Sequence, residues 1–70
     1  MRTVPIRDSS IRLGQFLKLA DAVDAGSDVK WLLSHGDVSV NGEREDRRGR
    51  QLVPGDVVTV LGTELRVGSA

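Results

Sequence analysis

The stretch Val38-Ser39-Val40-Asn41-Gly42-Glu43 decides how this chain folds. Its alternating valines predict a half-buried strand. Asn-Gly supplies two residues that tolerate positive φ, so the strand is expected to reverse in a tight hairpin. Upstream, a short apolar helix pattern ends at Gly36, and downstream lies the basic cluster Arg47-Arg48-Gly49-Arg50. A helix, a reversal and a hairpin with arginines just beyond form a rigid base for presenting cations. That arrangement points to nucleic-acid recognition rather than to chemistry.

The flanks extend this reading. Thr3 to Arg7 predict a short strand, with Pro5 confining it to an edge or an irregular start. Ser9 or Ser10 is the expected N-cap of a first helix. Leu13, Phe16, Leu17 and Ala20 make one helical face. Gly14 weakens that helix by roughly 1 kcal/mol relative to alanine, which suits a site where a neighbour approaches closely. Asp21 to Gly26 is the expected connection, with Asp24 and Gly26 suited to a turn. Ser27 is the expected cap of a second helix, with Asp28 in its first turn. Val29, Leu32 and Leu33 form its buried face, and Trp31 is expected at the edge of that face, half covered, packing on the core rather than stacking on a base. Beyond the hairpin, Glu43 to Gln51 reads as a short strand fading into a loop, and Pro54-Gly55 as the centre of a turn. Val57 to Leu61 predict a β-branched strand, reversed at Gly62-Thr63. Leu65 and Val67 fall in a last strand, and Gly68-Ser69-Ala70 are expected to fray. The predicted order is β-α-α-β-β-β-β, a small α+β unit.

Seventy residues make a single domain over 1–70 with a modest core. There is no cysteine, which excludes disulfides and thiolate zinc sites and fits a reducing cytoplasm. His35 is the only histidine, so no metal site and no cofactor are expected. Met1 to Ser10 lack the apolar run of a signal peptide. No stretch approaches the ~20 apolar residues of a membrane span. Ten basic and ten acidic residues sum to zero, so phosphate affinity must come from local charge rather than net charge. No nucleophile–base–orienter set is apparent, and the chain is not expected to be an enzyme.

The runs Arg12-Leu13, Lys30-Trp31-Leu32-Leu33, Gly36-Asp37-Val38-Ser39-Val40-Asn41-Gly42 and Pro54-Gly55-Asp56-Val57-Val58-Thr59-Val60 resemble the S-four RNA-binding domain over about residues 11–61. Gln15-Phe16-Leu17-Lys18-Leu19, Val40-Asn41-Gly42-Glu43 and Arg47-Arg48-Gly49-Arg50 resemble its small stand-alone YbcJ-like subfamily. The resemblance implies an α+β, alpha-L fold with two packed helices against a short, mostly antiparallel β-sheet. It implies a cytoplasmic, monomeric domain docking on structured RNA: ribosomal RNA, a ribosome assembly intermediate or transfer RNA. Arg12 occupies the position of the arginine opening the family's first helix, and Lys30 that of a basic residue on the second. Ala25-Gly26 departs from the Ser-Arg pair that often begins the second helix, which removes a common phosphate contact.

The residues assigned to RNA contact are Arg12, Gln15, Lys18, Ser27, Lys30, Arg47, Arg48 and Arg50. Arginine suits the clamp because its planar fork bonds phosphate bidentately. The bland reading is a solvated loop neutralised by Glu43, Glu45 and Asp46. Replacing Arg47, Arg48 and Arg50 together by alanine is expected to weaken binding and leave the fold intact. Few aromatics disfavour a single-strand stacking platform, so shape and phosphate recognition fits better. The alternative is a protein-interaction module presenting the same charged surface to an acidic protein partner.

Overall fold

The computed structural model describes residues 1–22 and 29–70. In chain order the elements are β1 (Arg2–Ile6), β2 (Ile11–Arg12), α1 (Leu13–Leu19), α2 (Val29–Ser34), β3 (Val38–Val40), β4 (Glu43–Arg44), β5 (Gln51–Leu52), β6 (Val57–Val60) and β7 (Thr63–Ser69). Five strands form one sheet in the order β1-β7-β6-β3-β4, while β2 and β5 form a separate two-stranded ribbon. Every pair is antiparallel except β1 with β7, so the domain has two helices and a mostly antiparallel sheet.

The core follows from period-two strands meeting 3.6-period helices. Val38 and Val40 face Val60 and Val58 across β3–β6, and Val58 faces Leu65 across β6–β7. Directly opposed residues share a face, so these side chains make a continuous apolar row. Leu13, Phe16 and Leu17 of α1 and Val29, Leu32 and Leu33 of α2 pack into the same buried cluster. Phe16, the chain's one phenylalanine, is fully buried.

Two turns are tied together by side chains. Asn41 and Gly42 have φ of 53° and 85°, as the primed hairpin turn requires. Asn41 Oδ1 accepts the Val57 N–H at 2.9 Å, and its Nδ2 donates to Asp56 Oδ1 at 3.1 Å. Asp56 Oδ2 in turn accepts the Val53 N–H at 2.9 Å, closing the Pro54-Gly55 turn. The Asn-Gly and Pro-Gly-Asp motifs are therefore halves of one structural lock.

Several expectations need correction. Neither Ser9 nor Ser10 caps α1. The chain pairs first as β2, Arg12 is the N-cap residue, and no side chain caps it. Instead the Leu13 N–H donates to the Arg50 carbonyl at 2.8 Å and the Gly14 N–H to the Arg48 carbonyl at 3.0 Å. The last reversal falls at Leu61-Gly62, with φ of 49° and 81°, one residue before Gly62-Thr63. Gly68 and Ser69 do not fray. They pair with Pro5 and Ile6, and the Ala70 N–H donates to the Ile6 carbonyl at 3.0 Å, because the other end of the chain supplies the partner strand. Pro5 sits on an edge strand, as its missing N–H demands. Trp31 is 54% exposed, half covered as expected, but it is not part of the buried core formed by Val29, Leu32 and Leu33. The roles expected of Asp24, Gly26, Ser27 and Asp28 lie outside the described residues.

Asn41→Ala removes two side-chain bonds and places an alanine at positive φ, while Asp56→Ala removes the other half of the lock. Each is expected to lower unfolding free energy by about 1–2 kcal/mol. Because the partners are shared, the double variant should cost less than the sum of the singles in urea denaturation.

Candidate functional site

Helical spacing puts Gln15 and Lys18 on one face of α1, immediately after Arg12. The segment after β4 runs back over the start of α1, and the two Arg48 and Arg50 carbonyl bonds hold it there. Gly14 permits that approach: a Cβ there would lie 2.6 Å from Arg48 Cγ. Lys30 projects from α2 on the other side. The outcome is an open cavity of about 420 Å³ lined by Arg12, Gly14, Gln15, Lys18, Val29, Lys30, Arg48 and Gly49. Four of those residues are cations, and no carboxylate lines the cavity among the described residues. Arg12, Gln15, Lys18, Lys30 and Arg48 thus meet in one place, whereas Ser27 lies outside the described residues.

Arg47 and Arg50 are arranged differently. Both bind Glu45, which is only 4% exposed and is the one buried charged residue among those described. Glu45 Oε2 accepts the backbone N–H groups of Asp46 at 3.1 Å and Arg47 at 3.0 Å, and Arg47 Nε at 3.1 Å. Its Oε1 accepts Arg50 Nη1 at 2.8 Å and Arg47 Nη2 at 3.3 Å. The arginine hydrogen bonds, Arg47 first and then Arg50, hold the Glu45 carboxyl down at about 2, against an ordinary 4.5. The same hydrogen bond to Glu45 raises the Arg47 guanidinium. The ion pairs among the described residues both belong to Glu45, so Arg12, Lys18, Lys30 and Arg48 make none.

Glu45 is therefore the staple of the segment, not one of several surface acids neutralising a solvated loop. This corrects the expectation for the triple alanine variant: removing Arg47 and Arg50 strips both side-chain partners from a buried carboxylate, which destabilises the fold. Arg48 alone can be removed without touching that network. The start of α1 offers no anion site through its first amides, since the Leu13 and Gly14 N–H groups donate to loop carbonyls.

Sequence reasoning also passed over three residues. Arg2 Nη1 donates to the Ala20 carbonyl at 2.9 Å and closes the C-terminal end of α1. The Arg44 guanidinium lies over Gly36, its Cζ and Nε each 3.1 Å from where a Cβ would stand. Gly49 lines the cavity beside Arg48. None carries a local signal, because each acts on a partner distant in sequence. Among the described residues no three His, Cys, Asp or Glu side chains gather as a metal site, and no helix is long and apolar enough to cross a membrane.

The chain matches the S4 domain family over residues 4–68 and belongs to it. It is 51% identical over 59 residues to the probable ribosome maturation protein RlbA of Bacillus subtilis (strain 168). That alignment covers 84% of this chain and 83% of the Bacillus protein. No solved structure matches it.

Glu45 makes stability acid-sensitive. Its folded pKa is depressed, so its contribution is complete above about pH 4.5 and is lost as pH falls toward about 2. Thermal melts across that range should show the midpoint falling in the wild type. In Glu45→Gln that part of the acid dependence should be absent, with a lower midpoint at neutral pH.

Proposed function

We propose that this chain is a non-catalytic RNA-binding domain that docks on folded RNA through the basic cavity between α1, α2 and the segment after β4. The observation that carries this reading is the convergence of Arg12, Lys18, Lys30 and Arg48 on one cavity with no lining carboxylate among the described residues. A phosphate backbone entering there meets four cations that no ion pair has neutralised. Gln15 lies among them as a neutral donor and acceptor for sugar or base. A-form RNA presents phosphates and 2′-hydroxyls at fixed spacing, which suits recognition by shape.

The S4 family and the name of the Bacillus relative support ribosomal RNA, or an assembly intermediate of the ribosome, as the ligand class. Transfer RNA shares the same A-form chemistry. The two helices on a mostly antiparallel sheet support reading the domain as the family's alpha-L fold, acting as one monomeric cytoplasmic unit over 1–70. Arg47 and Arg50 serve this function by holding Glu45, and Arg47, whose side chain is 74% exposed, remains able to reach a phosphate.

The test is crosslinking in cells followed by sequencing of attached RNA, with the variant Arg12→Ala/Lys18→Ala/Lys30→Ala/Arg48→Ala as control. Enrichment of ribosomal or transfer RNA that disappears in the variant is expected. Equal recovery in both, or capture of an acidic protein after nuclease treatment, would overturn the reading. In vitro, four phosphate contacts predict a log–log salt slope of about −3.6, reduced by roughly 0.9 for each alanine introduced.

Gly14→Ala gives a subtler check. The new methyl would stand 2.6 Å from Arg48 Cγ and push that side chain out of the cavity, while alanine favours the helix. RNA affinity should fall roughly 5- to 10-fold, the scale of one charge-assisted contact, without a lower melting temperature.

A further inference from the structure

The second helix has an outer face that the phosphate-binding cavity does not use. Its inward stripe is Val29, Leu32 and Leu33, which leaves Trp31 and His35 one turn apart on the other side. The two rings stack with centroids 3.9 Å apart and planes at 29°. His35 Nδ1 donates to the Trp31 carbonyl at 2.8 Å, which fixes the imidazole beneath the indole. Trp31 is still 54% exposed, and the chain has no other tryptophan and no tyrosine.

Two cations flank this aromatic pair. Lys30, the preceding residue on α2, faces the basic cavity. On the other side, Arg44 lies over Gly36, the residue after His35, and makes no ion pair among the described residues. A flat indole held by a second ring, on a segment with Lys30 before it and Arg44 over the glycine that ends it, matches a nucleobase with a phosphate nearby. Base–aromatic stacking tolerates any base because every base has a π face.

We propose that Trp31, backed by His35, is a stacking site for one unpaired nucleobase of the RNA held in the basic cavity, with Arg44 on that nucleotide's phosphate. The site rests on the RNA-binding reading and adds to it a preference for RNA with a bulged or looped-out base beside a helical stem. Folded RNA is otherwise read here by shape and charge alone, and a stacking residue next to the cavity would set where along a stem the domain settles.

The test uses the full chain and two RNA hairpins: one carrying a single-adenosine bulge, the other with that base replaced by an abasic site. Because Trp31 is the only tryptophan, its fluorescence reports directly on stacking. The bulged hairpin should quench it, and the abasic hairpin should bind without quenching. By gel shift, the wild type should prefer the bulged hairpin by ~5- to 100-fold. Trp31→Leu should lose that preference with an unchanged circular dichroism spectrum, Trp31→Phe should keep most of it, and Arg44→Ala should weaken binding of both hairpins. Equal affinity for the two hairpins, or a preference that survives Trp31→Leu, overturns the stacking site while salt-dependent binding of the abasic hairpin leaves the cavity reading standing. Failure of both hairpins to bind overturns the two together.

Discussion

The carboxylate of Glu45 is the interaction on which the working surface depends. A charge buried in so small a domain is costly unless each lone pair is met. Here one oxygen takes three donors and the other two, drawn from the Asp46 and Arg47 amides and the Arg47 and Arg50 guanidinium groups. Those bonds gather the segment after β4 into a compact platform. Once gathered, its carbonyls at Arg48 and Arg50 stand against the first amides of α1, and the Arg48 side chain falls across Gly14. Without the staple, the segment would be a polar loop with three arginines in no fixed relation to the helices.

The motif residues that carry the family resemblance serve architecture more than contact. Asn41 and Asp56 bind each other and the backbone of the neighbouring turn, which aligns β3 with β6 across 15 residues of chain. That explains how a pattern can mark a family without touching its ligand. The turn lock sets the sheet, the sheet seats the helices, and the helices present cations to the cavity. Function in this domain lies a step away from its most recognisable sequence.

The hairpin, the two apolar helix faces and the β-branched strand were legible because each obeys a local rule: period two, period 3.6, or a turn needing positive φ. The start of α1 was not legible. Ile11-Arg12 and Gln51-Leu52 are each too short to show a period, and they pair across nearly the whole middle of the chain. The end of the C-terminal strand was missed for a related reason, since Gly68 and Ser69 have no strand character until β1 is laid beside them. Among the candidate site residues, Arg12, Gln15, Lys18, Lys30 and Arg48 could be named from charge, spacing and resemblance, but their meeting in one cavity depends on the Glu45 fold-back. The division of labour within Arg47-Arg48-Gly49-Arg50 was invisible, because three like residues in a row carry no mark of which is buried against a carboxylate.

That division resolves the apparent conflict between zero net charge and a polyanionic ligand. Ten acids and ten bases cancel only in the total. Glu45 pairs with Arg47 and Arg50 and offsets one of their two charges, which stabilises the platform and weakens its share of the long-range field. The four cations of the cavity have no such partner, and a phosphate arriving there meets an uncompensated field within a Debye length. Acids elsewhere on the chain lower non-specific attraction to nucleic acid without weakening that local field. On the proposed docking, neutrality gives discrimination: a polyanion is held only where its backbone fits the spacing of Arg12, Lys18, Lys30 and Arg48. Shape can therefore govern binding in a way that a uniformly basic surface would not allow.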